Sequence, residues 1–337
     1  MLNGHGNDLY DFTHTIIADF SSNIPYRNAS AKIAAHLADK LHLIGNYPDP
    51  NARMLTTQIA AHHAISADCI LVTNGSAEAF YLLAHLFAGK RSTITFPAFA
   101  EYEDACTLHK HRISFLPLSK LRAESHFDAD TVWFALPNNP DGTIVPRETI
   151  ENLCLKNPSA HFIIDNAYGE LCPKSPPIIP LHERYENLIT VHSLTKTFAI
   201  PGLRLGYIVA DASVIRHLQP LRTPWTVNAL ALAAGSFVMD NYADLLPDSE
   251  LLCHESAEFQ RQLADIPSLD ITPSSCNYFL VRLKNETAAK LKTFLIEKHG
   301  ILIRNADNFR GLSSAHFRLS VQSKEHNKLL INALRKI

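Results

Sequence analysis

Between about residue 69 and residue 210, short apolar runs alternate with stretches of helical pattern, and this alternation limits the fold more than any other feature of the chain. The runs cover 69–73, 93–96, 132–136, 161–164, 188–192 and 205–209. Several are apolar throughout, as expected of strands covered on both faces rather than one. Strands separated by helices imply βα units around a mostly parallel sheet, an α/β architecture with helices on either side. Ahead of them, 30–44 reads as an amphipathic helix, with Ser30 as cap, Ile33, Leu37, Leu41 and Ile44 on one face, and Gly45 as its stop. The prolines of Asn46-Tyr47-Pro48-Asp49-Pro50 then force an extended loop. Segment 227–239 reads as a nearly all-apolar helix, buried against the sheet or a partner.

After about residue 241 the pattern changes. A polar helix to 264 leads to strand-like 278–283, a helix over 287–298, strand-like 301–304 and 317–321, and a last helix over 325–334. This predicts a smaller α+β unit with an antiparallel sheet. The expected division is an N-terminal arm, 1–30, that joins the small domain and the active site, a large domain, 31–241, and a small domain, 242–337.

A chain of 337 residues buries roughly 75% of its unfolded surface and needs no staples. Lys and Arg number 31 against 33 Asp and Glu, with no basic run, which argues against nucleic acid or a membrane surface as partner. The six cysteines are scattered without a C-x-x-C pair, the usage of reduced thiols in a cytosolic protein. Met1-Leu2-Asn3-Gly4-His5 resembles no signal peptide, and no run of about 20 apolar residues could span a bilayer. A cytoplasmic location is therefore expected, and the N-x-S/T triplets at Asn28 and Asn285 carry no meaning there. Among 18 histidines, His62-His63 and His109-Lys110-His111 lack partners at ligand spacing, so no metal is expected.

In a parallel α/β sheet, ligands bind at the carboxyl ends of the strands. Four polar segments fall there. In Val72-Thr73-Asn74-Gly75-Ser76-Ala77-Glu78 a strand ends, a glycine turns the chain and a helix begins, which makes an anion cradle of free N–H groups. Leu136-Pro137-Asn138-Asn139-Pro140-Asp141-Gly142 fixes an amide between prolines. Ile163-Ile164-Asp165-Asn166-Ala167-Tyr168 puts a carboxylate at the end of an apolar strand, where burial is costly without a partner. In Ser193-Leu194-Thr195-Lys196-Thr197, followed by Pro201-Gly202-Leu203-Arg204-Leu205-Gly206-Tyr207, a lysine lies between apolar stretches with an arginine eight residues on. A desolvated lysine near another cation has a lowered pKa and can form a Schiff base. Taken singly, each segment has a plain explanation: Ser76 as a helix cap, an ordinary turn, Asp165 as a cap, a surface lysine. Their joint occurrence at successive strand ends points to one site.

These segments resemble the fold-type-I pyridoxal 5′-phosphate (PLP) enzymes of the aminotransferase class I/II superfamily, and the Ser-x-x-Lys…Pro-Gly-Leu-Arg-x-Gly-Tyr stretch is the most specific match. Within the superfamily the chain most resembles the threonine-phosphate decarboxylases of cobalamin biosynthesis, with histidinol-phosphate aminotransferases close behind. The resemblance implies that Lys196 carries PLP and that Asp165 pairs with the pyridinium nitrogen. It implies that Asn139 and Tyr168 bond the ring hydroxyl and that Phe99 stacks on the ring. Gly75, Ser76, Ser193 and Arg204 would hold the cofactor phosphate. Tyr47 would reach that phosphate across a homodimer interface. For substrate it nominates His5, Gly6, Asn23, Asn139, Arg304 and Arg318, and two arginines suit a phosphorylated amino acid because each can bind an anion bidentately.

Three departures stand out: Asn166 where these families carry Glu, Asp141 where Thr is usual, and a short segment between His5 and Asp19. The first expectation is decarboxylation of O-phospho-L-threonine to aminopropanol phosphate. The alternative is transamination of the histidinol-phosphate type. A PLP-binding regulator would need a DNA-binding appendage, and the chain begins almost at Asp19-Phe20-Ser21-Ser22-Asn23.

Overall fold

The computed structural model describes residues 6–336. In chain order its strands are β1 (Ala18–Asp19), β2 (Ile70–Thr73), β3 (Arg91–Phe96), β4 (Arg112–Pro117), β5 (Thr131–Ala135), β6 (His161–Asp165), β7 (Leu188–His192), β8 (Gly206–Val209), β9 (Leu269–Ile271), β10 (Tyr278–Leu283), β11 (Ile301–Leu302), β12 (Arg304–Asn305) and β13 (His316–Ser320). Seven of them form one sheet in the order β2-β8-β7-β6-β5-β3-β4. It is parallel except at β8, which runs antiparallel to both neighbours.

The all-apolar strands are two-faced in the way their composition requires. Leu71, Ile94, Trp133, Ile163 and Ile208 point to one layer, with Phe80 and Leu83 of helix Gly75–Leu86 and Tyr102 of helix Glu101–Leu108. Ile70, Val72, Tyr207 and Val209, and further along Val132, Phe134, Phe162 and Ile164, face the other. Each such side chain contributes about 1.5–3 kcal/mol by leaving water. Helix Ala229–Asp240 packs Ala231, Ala234, Gly235 and Val238 inward, and a Cβ at Gly235 would lie 2.7 Å from Leu55, so the helix sits closer than any larger residue permits.

The C-terminal sheet is antiparallel, ordered β12-β13-β10-β9. The arm joins its core: Ala18 and Phe20 pack with Phe279, Val281, Phe317 and Leu319, and β1 pairs in parallel with β11.

Several sequence expectations need correction. The helix expected over 30–44 ends at Ala38, a tight turn, Leu41–Gly45, takes over, and Leu41 and Ile44 are 54% and 74% exposed instead of facing the core. Ser30 is not its cap; the Asn28 side chain accepts from the Ser30 N–H at 3.0 Å. The strand expected over 301–304 is two strands, because Ile303 turns the chain from the arm to β13. Strands β4 and β9 were not anticipated. The first alternates Arg112, Ile113, Ser114 and Phe115 at a sheet edge, and the second has only three residues.

Candidate active site

The carboxyl ends of β2, β5, β6 and β7 meet in one cleft. After β2 the chain passes Asn74 into the helix Gly75–Leu86, whose first-turn amides have no partner within the helix. Gly75 has φ +76°, and a Cβ there would lie 2.5 Å from Arg204 Nη2, so the glycine is needed both for the turn and for the guanidinium against it. Gly206 completes the arrangement: its Cβ would meet the Ser76 amide nitrogen at 2.9 Å and the His192 carbonyl at 2.7 Å. Ser76 lies within the first turn, and the Asn74 N–H donates to Glu78 Oε2 at 2.5 Å. The Gly75 and Ser76 amides and the Arg204 guanidinium are thus brought together, with Ser193 following β7 beside them, an arrangement that favours an anion.

Lys196 lies in the short helix Leu194–Thr197, and burial together with the charges of Arg318 and Arg204 pushes its ammonium down to about 8. Asp165 ends β6, and burial pushes its carboxyl up to about 6 against the opposing bonds from Tyr102 and Ala167 and the charge of Lys196. Tyr102 Oη donates to Asp165 Oδ2 at 2.5 Å, and the Ala167 N–H donates to Oδ1 at 3.0 Å. Asp165 therefore does make the local turn bond that a capping residue would make, and a second bond besides. Phe99 lies edge-on to Tyr102, with ring centroids 5.9 Å apart, and lines a cavity of about 390 Å³ with Phe309 and Arg310.

From the C-terminal sheet, Arg318 enters the same cleft. Its Nη1 donates to Asn139 Oδ1 at 2.5 Å and its Nη2 to the Ser21 carbonyl at 2.6 Å, while Nε has no partner among the described residues. The Tyr168 phenol faces Arg318 and Asn23 and is pushed up to about 12, mainly by burial; its ring packs 4.9 Å from Tyr278. Asn23 is fully buried, yet neither end of its amide is bonded among the described residues. Buried polar atoms left open in this way are rare in native proteins, and here they border the cleft.

Arg304 stands directly opposite Arg318 across the β12–β13 pair. Burial and the charge of Arg318 push it down to about 10, while Asp8 and Asp307 oppose the shift. Its Nη2 donates to Asn308 Oδ1 at 2.8 Å. Gly6 packs so closely on the Ser21 carbonyl that a Cβ would lie 2.2 Å from its oxygen, and Asp8 bonds Lys292 at 2.5 Å. His5 lies outside the described residues. Tyr47 stays on the surface, 83% exposed, with its ring 4.9 Å from Trp225.

The two substituted positions have local work. Asn166 Nδ2 donates to the Leu136 carbonyl at 2.6 Å, tying the end of β6 to that of β5. Asp141 Oδ1 accepts from Asn138 Nδ2 at 2.8 Å and from the Thr143 N–H at 3.0 Å, closing the loop that carries Asn139. Sequence reasoning gave no role to Tyr102, Tyr278 or Ser21. A signal for Tyr102 existed in its i+3 spacing from Phe99 at a helix start.

A model of the family described as aminotransferase class I and II matches residues 15–334. Threonine-phosphate decarboxylase of Salmonella typhimurium is 31% identical over 333 residues, covering 95% of this chain and 91% of that protein. Histidinol-phosphate aminotransferase of Caldanaerobacter subterraneus is 30% identical over 303 residues, covering 86% and 84%. The crystal structure of L-threonine-O-3-phosphate decarboxylase from Porphyromonas gingivalis superposes with a TM-score of 0.92 at 36% identity, covering 95% of this chain and 99% of that one. These relatives belong to a family of PLP-dependent enzymes. With its cleft at the carboxyl ends of a mostly parallel sheet and a family match over nearly its whole length, this chain belongs to the class I and II aminotransferase family.

Proposed function

We propose that this protein is a PLP-dependent carboxy-lyase that converts O-phospho-L-threonine to (R)-1-amino-2-propanol phosphate, a step of cobalamin biosynthesis. The observation that carries the reading is the pairing of Arg304 with Arg318, directly opposite each other on adjacent strands and only 7% and 5% exposed. Like charges so placed repel. Lys196 and Arg204 add to the same field, which is opposed by Asp165, by Asp19 at Arg318 and by Asp8 and Asp307 at Arg304. Two buried guanidinium groups facing each other suit a ligand with several negative groups.

The residues fit the cofactor. Open amides at Gly75 and Ser76, with Ser193 and Arg204, would hold its phosphate, Lys196 would hold it covalently, and Asn139 and Tyr168 would bond its ring hydroxyl. Phe99 would cover the ring, and Asp165 would pair with its nitrogen. When bound, PLP supplies an electron sink for the pair released at Cα.

The chain's own groups then divide the remaining work. Arg318 takes the substrate carboxylate with the open edge of its guanidinium, and Arg304 takes the phosphate. Asn23 and Gly6 border the substrate from the arm. Once carbon dioxide has left, the Lys196 ammonium returns a proton to Cα. Its pKa near 8 suits that transfer at neutral pH. In a transaminase, Lys196 would instead remove the Cα proton, and the likeness to histidinol-phosphate aminotransferase keeps that reaction as the rival.

The reading extends to a homodimer. Tyr47 and the exposed Leu41, Ile44 and Met54 lie beside the outer face of helix Ala229–Asp240, where Leu232 and Phe237 line an open groove. A second copy there would bury this patch and bring Tyr47 to the neighbouring phosphate site. No helix among the described residues is long and apolar enough to cross a membrane, and a cytoplasmic location is part of the proposal.

Two incubations decide the reaction. Carbon dioxide is expected from O-phospho-L-threonine without any added 2-oxo acid. Glutamate formed from histidinol phosphate and 2-oxoglutarate, with no carbon dioxide in the first tube, would make the protein an aminotransferase.

A further inference from the structure

We infer that Tyr102 is a positioning residue of this site, whose phenol fixes the orientation of the Asp165 carboxylate and keeps it an anion for the cofactor's ring nitrogen. The inference rests on the reading of Asp165 given above.

Tyr102 is 1% exposed and stands at the start of helix Glu101–Leu108. Its ring is held edge-on by Phe80, with centroids 4.9 Å apart, and tilted against Trp133 at 6.2 Å. A phenylalanine would fill that space as well. The hydroxyl is the added element, and a buried hydroxyl is costly unless bonded. Its hydrogen bond among the described residues is the one to Asp165 Oδ2. The other oxygen, Oδ1, is held by the Ala167 N–H. Donors from two separate elements, one per oxygen, fix the carboxylate's rotation and leave its remaining lone pairs to a ligand.

Charge acts in the same direction. The groups facing Asp165 are Tyr102, Tyr168 and Lys196, with Arg204 and Arg318 beyond the lysine. Burial drives the carboxyl toward its neutral form, which cannot pair with a protonated ring nitrogen. Lys196 opposes that drive but itself titrates near 8. The Tyr102 phenol is held well above its ordinary value by burial and by Asp165, so it remains a donor throughout the neutral range.

The test uses the full-length protein labelled with carboxyl-¹³C aspartate, titrated by NMR with and without PLP. An Asp165→Asn variant identifies the Asp165 signal. In Tyr102→Phe the Asp165 midpoint is expected to rise by about one to two pH units, the effect of losing one charge-assisted bond. PLP affinity, followed by quenching of tryptophan fluorescence, should weaken roughly tenfold in Tyr102→Phe, and by much less when Asp165→Asn is already present. Should Tyr102→Phe fail to fold, 3-fluorotyrosine throughout the chain makes the phenol a stronger donor and should lower the Asp165 midpoint instead. An Asp165 midpoint that neither change moves would overturn the inference, whatever the cofactor result. A wild-type protein that takes up no PLP would overturn the functional reading while leaving the titration legible.

Discussion

The guanidinium of Arg318 crosses from the C-terminal sheet to the loop after β5 and donates to Asn139 Oδ1 at 2.5 Å. One bond thus joins the group proposed for the substrate carboxylate to the group proposed for the cofactor's ring hydroxyl. Arg318→Gln removes the charge and the fork together. It should lower kcat/KM for O-phospho-L-threonine by about a hundred- to a thousandfold, as expected for losing a buried charged anchor. Because Arg318 is also one of the charges depressing Lys196, the lysine's midpoint should move up in the same variant. A variant with unchanged kcat/KM would remove Arg318 from the substrate site.

The role proposed for Lys196 gives cofactor capture a defined pH dependence. An ordinary lysine is almost wholly protonated at pH 7, whereas one that titrates near 8 is about a tenth neutral there. The rate at which the protein's absorbance changes after PLP is added should climb between pH 7 and 9 and then level off. Borohydride should trap the link in wild type and not in Lys196→Ala. Trapping in the variant would place the covalent link elsewhere.

Shared sites can be tested by mixing. Lys196→Ala and Tyr47→Ala protomers, each inactive alone, should regain part of the activity together if Tyr47 serves the neighbouring subunit. Sedimentation should show a two-fold symmetric dimer. A fully active monomer would end the shared-site reading.

Acid stability should follow the buried histidines. Burial holds His63 near 4 and His182 near 3, and His192 well below the ordinary imidazole value. Unfolded, each takes a proton near 6.5, so the unfolded state binds more protons as pH falls below that value and the native state loses stability. Asp165, raised to about 6, acts in the opposite sense between about 4 and 6, but as one group against three. The melting temperature should therefore drop between pH 6.5 and 4.5. His63→Gln should flatten that slope, because its shift alone corresponds to at most about 3 kcal/mol. An equally steep acid limb in the variant would assign the loss to other groups.

The parallel sheet was legible because strands covered on both faces need unbroken apolar runs, and 132–136 and 162–164 supply them. Strand β4 was hidden by the same logic, since an edge strand alternates and Arg112 and Ser114 look like loop residues. Periodicity carries the helix from Ser30 past its end because it cannot tell a core face from a face left for a partner, and Leu41 and Ile44 continue the pattern into solvent. Lys196, Asp165 and Asn139 were legible as candidates because each follows or ends a strand within a compact motif, and Arg204 because it precedes β8 in the same motif as Lys196. Tyr102 and Ser21 were not, because their roles depend on contacts 63 and 297 residues away. No local pattern records such a contact.

The pairing of β1 with β11 also dictates when the molecule can be finished. Ala18 and Asp19 pair with Ile301 and Leu302, so the arm's partner is translated about 280 residues after it. At about 5–20 residues per second, the start of the chain waits roughly 15–60 s for it. During synthesis Phe20 has no core to enter, since Phe279, Val281, Phe317 and Leu319 are still to come. Ser21, whose carbonyl holds Arg318, waits with it. The cleft is thus assembled only when the arm and the C-terminal sheet have met, and a nascent chain stopped before residue 300 would hold the residues proposed for the cofactor without Arg304 and Arg318.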